Sequence, residues 1–214
     1  MEGRKTFHQQ LEDLYLDLLR MANITVDIIE KTRKAFADLD AELAREIHDG
    51  DDVVDDYVIL IEETGIELLA LQAPVAIDLR TIIVIMRLAT HLERVADLCV
   101  NISKAIINLG GYNLSPWISE NIDEMFQGAT RMLVTAVESF KERDEAKAEG
   151  LDKMDDTVDR INRGFLTATD RESEEEVDLV IRVVMIARFI ERIADHAVDI
   201  GEDVRYMITG QFVT

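Results

Sequence analysis

Leu92-Glu93-Arg94-Val95-Ala96-Asp97 recurs later in the chain as Ile190-Glu191-Arg192-Ile193-Ala194-Asp195. The two copies stand 98 positions apart, measured from Glu93 to Glu191, and the apolar residues Leu92, Val95, Cys99, Ile102 and Ile106 pair at that offset with Ile190, Ile193, Ala197, Ile200 and Val204. Every partner is small or apolar. Upstream, Asp51-Asp52-Val53-Val54-Asp55 pairs with Asp155-Asp156-Thr157-Val158-Asp159 at an offset of 104. The two offsets differ by six residues. The deletion is placed between the motifs of the second half, where Thr169-Asp170-Arg171 stands opposite the loop-like Gln72-Ala73-Pro74. The chain therefore reads as a duplication of a unit about half its length, far above the period of solenoid repeats, roughly 20 to 50 residues.

The composition points to helix. Among 214 residues there are two prolines and ten glycines, and 48% of the chain is hydrophobic, enough to build a core. Six helices follow from apolar residues spaced three and four apart. They run from about Thr6 to Asp38, Ala41 to Leu71, Ile77 to Leu109, Ser115 or Ser119 to Phe140, Asp144 to Leu166, and Ser173 to Thr209. Pro74 ends the second, Gly110-Gly111 closes the third, and Ser173 with Glu176 forms a capping box at the start of the sixth. The expected fold is all-α: two tandem three-helix bundles, residues 1–111 and 112–214, joined by the pattern break between Gly110 and Pro116. Trp117 and Tyr112, in that linker, are expected to pack the two bundles together.

Net charge and segment length exclude several classes of function. A charge of −21 opposes binding to nucleic acid or to anionic lipid and concentrates cations instead. The densest apolar runs, Ile82–Met86 and Val183–Ala187, are cut by Arg87 and Arg188, well short of a membrane span of roughly 18 residues. The start of the chain is charged and amphipathic, so no signal peptide is expected. The single cysteine, Cys99, sits on an apolar stripe and fits a reducing cytoplasm.

Two acids four residues apart on a helix repel each other unless something compensates. On the third helix the apolar stripe sets heptad positions a and d, which places Glu93, Asp97, Asn101 and Lys104 on outward b, f, c and f positions. On the sixth, Glu191, Asp195, Asp199 and Glu202 form an acidic line at i, i+4, i+8 and i+11. Asp51 with Asp55, and Asp155 with Asp159, offer further carboxylate pairs on the neighbouring helices. A solvated face would account for any one such pair in a chain with 44 acidic residues. Recurrence of residue type and spacing in both halves favours a role, because a merely solvated face is free to alternate with lysine. Carboxylate oxygens suit hard cations such as Mg2+, Mn2+ or Ca2+, and also iron. His91 and His196 lie near the motifs at unmatched positions and are read as surface or half-buried histidines. Arg94 and Arg192 follow the glutamates and can pair with flanking acids. An enzymatic alternative, a di-metal oxidase or phosphatase on a helical bundle, lacks the Glu-x-x-His ligands and phosphate loops such chemistry uses. A purely structural scaffold is the third reading.

These motifs, with Ala73-Pro74-Val75-Ala76-Ile77-Asp78-Leu79-Arg80 between the second and third helices, resemble the PhoU family of phosphate-uptake regulators over nearly the whole chain. The resemblance implies a cytoplasmic, non-catalytic negative regulator whose partners are the phosphate ABC transporter with its ATPase and a phosphate-sensing histidine kinase. It leaves the oligomeric state open, a homodimer included. It further implies metal, whether iron, manganese, magnesium or zinc, on Asp51, Asp55, Glu93 and Asp97 in one half. The matching set is Asp155, Asp159, Glu191 and Asp195, extended by Asp199 and Glu202. Ala96 and Ala194 replace a glycine common in the motif. Lys104 takes the place of Glu202, which leaves the first site less charged.

Overall fold

A computed structural model of the chain describes residues 2–50, 52–110, 112–167 and 174–212. Eight helices make up the described fold: α1 (Glu2–Asp38), α2 (Ala41–Asp49), α3 (Asp52–Gln72), α4 (Ala76–Ile107), α5 (Pro116–Glu142), α6 (Glu145–Glu149), α7 (Leu151–Thr167) and α8 (Glu174–Thr209). No strand occurs among the described residues. The fold is all-α, but each expected second helix of a half is two helices: 41–71 divides at Gly50 into α2 and α3, and 144–166 divides at Gly150 into α6 and α7. Hydrophobic spacing runs through both breaks, with Ala44, Ile47 and Val54 buried before and after the first, and Ala148, Leu151 and Val158 around the second. Periodicity alone therefore conceals them. Asp51, the capping-box residue Ser173 and the shortened turn at 169–171 lie outside the described residues.

The duplication extends to backbone hydrogen bonds. Leu39, with φ of 48°, ends α1, and Arg143, 104 positions later with φ of 53°, ends α5. In both turns the left-handed residue bonds back three positions and the following aspartate bonds back five, Asp40 N–H to the Ala35 carbonyl and Asp144 N–H to the Ser139 carbonyl, each at 2.9 Å. This pair of bonds satisfies helix-end carbonyls without glycine. The same aspartates then cap the next helices. Asp40 accepts from the Glu42 and Leu43 amides and Asp144 from the Lys147 amide, all at 3.0 Å. One residue thus closes one helix and opens the next, which explains why these connections need only two residues.

The halves share one core. α4 packs against α8 along a seam in which Leu88, Leu92, Val95, Cys99, Ile102 and Ile106 are all buried, as are their counterparts Ile186, Ile190, Ile193, Ala197, Ile200 and Val204. Leu88 and Leu92 meet Ile200, Leu18 of α1 and Phe140 of α5 around a small apolar gap. Across the α1–α5 contact, Tyr15 stacks on Phe140 with ring centroids 5.2 Å apart, and Arg33 donates to Asp123 at 2.6 Å. The linker residues both make contacts with the second half. Trp117 packs on Phe165, with centroids 4.9 Å apart, and the Tyr112 hydroxyl donates to Asp178 at 3.0 Å, so both fasten the linker to the second half.

Among the described glycines, Gly201 of α8 leaves the least room for a side chain. A Cβ there would stand 2.6 Å from Leu151 Cδ1 and 3.0 Å from the Ala148 carbonyl oxygen. This space is what allows the five-residue α6 to lie against α8. Gly201→Ala is expected to destabilise the chain by about 1–3 kcal/mol in urea unfolding. Gly164→Ala, where an added Cβ meets nothing within 4 Å, is expected to stabilise by about 0.5–1 kcal/mol through helix propensity. Equal effects at the two positions would contradict the close approach.

Candidate functional site

In the first half, Asp55 of α3 faces Glu93 and Asp97 of α4. Burial raises the Glu93 carboxyl above the usual range; Arg94 partly offsets this, while Asp97 and Asp55 push it further up. Arg94 lies over the pair, 3.5 Å from Glu93 and 3.6 Å from Asp97. Lys104, on the same helix, is exposed.

In the second half more acids act on one another, and Arg188 and Arg163 stand against them. Asp155 and Asp159 of α7 face Glu191 and Asp195 of α8. Burial, followed by the charges of Asp159, Asp195 and Glu191, pushes the Asp155 carboxyl up to about 6. Burial also raises Glu191 and Asp195, with Asp159 adding to both. Glu191 departs from its expected outward position and is 7% exposed. The heptad seam considers only one neighbour, whereas α8 packs against α4, α5, α6 and α7, so a b position is covered as well. Arg188, one turn earlier on α8, makes an ion pair with Glu191. Glu191 Oε2 and Asp155 Oδ1 are nevertheless buried and accept no hydrogen bond. A buried acceptor without a donor costs on the order of 1–3 kcal/mol, so both atoms have unused acceptor capacity. Two oxygens of this kind from adjoining helices suit a hard cation in ligand type.

The rest of the acidic line divides. Glu202 is raised by burial and then by Asp199, Asp152 and Asp203. Asp199 turns toward two histidines. Its carboxyl is held below the usual range by His196 first and also by His91. His91 of α4 and His196 of α8, unmatched in the repeat, approach with Nδ1 atoms 3.2 Å apart. Among the described residues, His91, His196 and Asp199 form the only group of three or more such side chains whose ligand atoms all lie within 4.8 Å of one another. The carboxylate clusters at Glu93 and Glu191 do not form such a group among the described residues. No motif spacing announces the histidine cluster, because its members come from different halves.

The family model for the PhoU domain matches twice, over residues 18–106 and 122–204. The chain belongs to the PhoU family. The two matches begin 104 positions apart and end 98 apart, which are the offsets found in the repeat. The phosphate-specific transport system accessory protein PhoU homolog of Clostridium acetobutylicum is 33% identical, with 98% of this chain and 97% of that protein aligned. PhoU homolog 1 of Mycobacterium leprae is 30% identical over 98% and 95%. PhoU from Pseudomonas aeruginosa superposes with a TM-score of 0.89 at 29% identity, over 96% of this chain and all of that one. The phosphate transport system regulatory protein PhoU from Streptococcus pneumoniae gives 0.86 at 27%, over 97% and 99%. No helix among the described residues of this PhoU-family chain is long and apolar enough to cross a membrane.

The raised Asp155 fixes the sign of a pH effect. An unfolded aspartate ionises near pH 4, about 3.9, while the folded one holds its proton to about 6. Between those values the folded state binds more protons, so this group's contribution to stability falls as pH rises. In chelator, Asp155→Asn is expected to raise the melting temperature at pH 7 relative to the parent and to flatten the decline between pH 4 and 7. A parent and variant with parallel pH profiles would contradict this.

Proposed function

We propose that the chain is a cytoplasmic, non-catalytic regulator of phosphate-specific transport, which restrains the phosphate ABC transporter at its ATPase and keeps a phosphate-sensing histidine kinase inactive when phosphate is plentiful. Family membership supports the transport assignment, since the relatives named above are accessory or regulatory proteins of phosphate transport. Residues 1–111 and 112–214 act as two repeats of one PhoU-like unit, each with a carboxylate cluster between its second and third helical layers. Each cluster holds metal, drawn from iron, manganese, magnesium or zinc.

The observation that supports metal most directly is Glu191, buried on α8 with an oxygen that no donor satisfies, beside the equally unsatisfied Asp155 of α7. A cation there would neutralise the repulsion among Asp155, Asp159, Glu191 and Asp195 and join α7 to α8. The chain's own groups supply the rest: Arg188 orients Glu191, and the acids hold α7 and α8 at a separation sensitive to charge. In the first half Lys104 stands where the second half has Glu202, so the first cluster carries less negative charge and binds a cation more weakly than the second.

Two measurements test the reading. Mn2+ bound by metal-free protein, followed by electron paramagnetic resonance, is expected to fall by at least roughly 10-fold in Glu191→Gln and in Asp155→Asn, since even outer-shell changes cost that much. Unchanged Mn2+ binding in both would remove the site. In a bacterium lacking its own PhoU, the chain is expected to restore repression of a phosphate-starvation reporter in rich phosphate and to co-purify with the transporter ATPase. Failure of both, or phosphatase turnover abolished by Glu191→Gln, would overturn the regulatory assignment.

A further inference from the structure

We infer that His91 of α4 together with His196 and Asp199 of α8 forms a mononuclear site for a borderline divalent transition metal such as Zn2+, joining the two repeats to each other. This site is separate from the carboxylate clusters and does not depend on their function.

The three donor atoms outline one face of a tetrahedron. His91 Nδ1 and His196 Nδ1 are 3.2 Å apart, and Asp199 Oδ2 is 3.5 Å from the His196 atom and 3.7 Å from the His91 atom. Ligands about 2.0–2.2 Å from a tetrahedral ion are separated from one another by roughly 3.3–3.6 Å, so an ion can be seated with small adjustments. One Nδ1–H···Nδ1 hydrogen bond joins the two rings, and an ion would bring in the carboxylate as a third partner. Two Nδ1 atoms in contact share at most one proton, and the aspartate oxygen lies beyond good hydrogen-bond distance from both rings. Two imidazole nitrogens and one carboxylate oxygen thus lie within 4.8 Å of one another, close enough to share one ion.

The surroundings offer His91 a second carboxylate at ion-pair distance. A ligating imidazole usually gives its other N–H to a carboxylate, which fixes the tautomer. His91 Nε2 is 3.6 Å from Asp203 Oδ2, and Asp203 in turn accepts from Arg87 at 2.8 Å. The His91, His196 and Asp203 side chains are 22%, 18% and 14% exposed, so the rings are held in place, whereas Asp199 is 49% exposed. The open side leads to a cleft bordered by Tyr206 and Phe212, which leaves a fourth position for water or an exogenous ligand. Imidazole nitrogen selects Zn2+, Co2+ or Ni2+ over Mg2+ and Ca2+, which distinguishes this site chemically from the all-oxygen clusters. At the equivalent repeat positions stand Phe189 and Leu98, so the pair has no internal copy. A metal here would clamp α4 to α8 and set the relation of the two halves.

The test uses metal-free full-length protein titrated with Zn2+ and Co2+ in excess Mg2+, which competes for the carboxylate clusters. The expected result is one ion per chain and a Co2+ complex with the intense visible bands of four coordination. His91→Gln and His196→Gln are each expected to weaken Zn2+ binding at least roughly 10-fold and to abolish those bands, and Glu191→Gln to leave both intact. Proton NMR of the Co2+-loaded wild-type chain, which requires no variant to fold, is expected to show paramagnetically shifted ring resonances from two histidines. Absence of those resonances, or histidine variants that bind Zn2+ as tightly as the parent, would overturn the site. Loss of Mn2+ binding in Glu191→Gln without loss of Zn2+ binding separates this inference from the carboxylate reading.

Discussion

The apolar seam between α4 and α8 is the contact on which the rest of the molecule depends. Each of these helices is the third layer of its own half, and their buried stripes are repeat-related residue by residue, from Leu88 and Ile186 to Ile106 and Val204. Removing this much apolar surface from water is the main favourable contribution available to a chain of mostly short-range helical contacts. It also dictates where charge can go. With the seam occupied by Leu, Ile, Val, Ala and Cys, the acids of each repeat motif are displaced to the flank of the helix, where α3 or α7 covers them.

That displacement places like charges in partly dry surroundings. Repulsion and desolvation act in the same direction on Asp155, Glu191 and Asp195, and each is raised as a result. Isolated acid pairs on a wet helix would relax into solvent at little cost. Here Glu191 cannot, because four elements pack around α8. Each half sets an arginine against its acids from a different position, Arg94 just after Glu93 and Arg188 one turn before Glu191. The two copies have therefore diverged in electrostatics while keeping one backbone plan, down to the left-handed residues Leu39 and Arg143 at the ends of α1 and α5.

Much of this plan was legible from residue order. Helical content, the repeat with its two offsets and the pairing of acids all follow from local spacing, which side-chain chemistry and the 3.6-residue turn impose on any helix. The helix breaks at Gly50 and Gly150 were not legible, because apolar periodicity continues through them and the kink is set by what α2 and α6 pack against. Glu191 was assigned outward for a related reason: a heptad describes one seam, and α8 has several.

Sequence by itself determined which residues share a helix face and that the unit occurs twice, since both are properties of spacing along one chain. Only the tertiary structure decided that His91 and His196 meet and that Glu191 is enclosed. It also directed Asp199 away from the acidic line and toward the histidines. Those outcomes depend on distances between helices far apart in sequence, and no local periodicity contains that information.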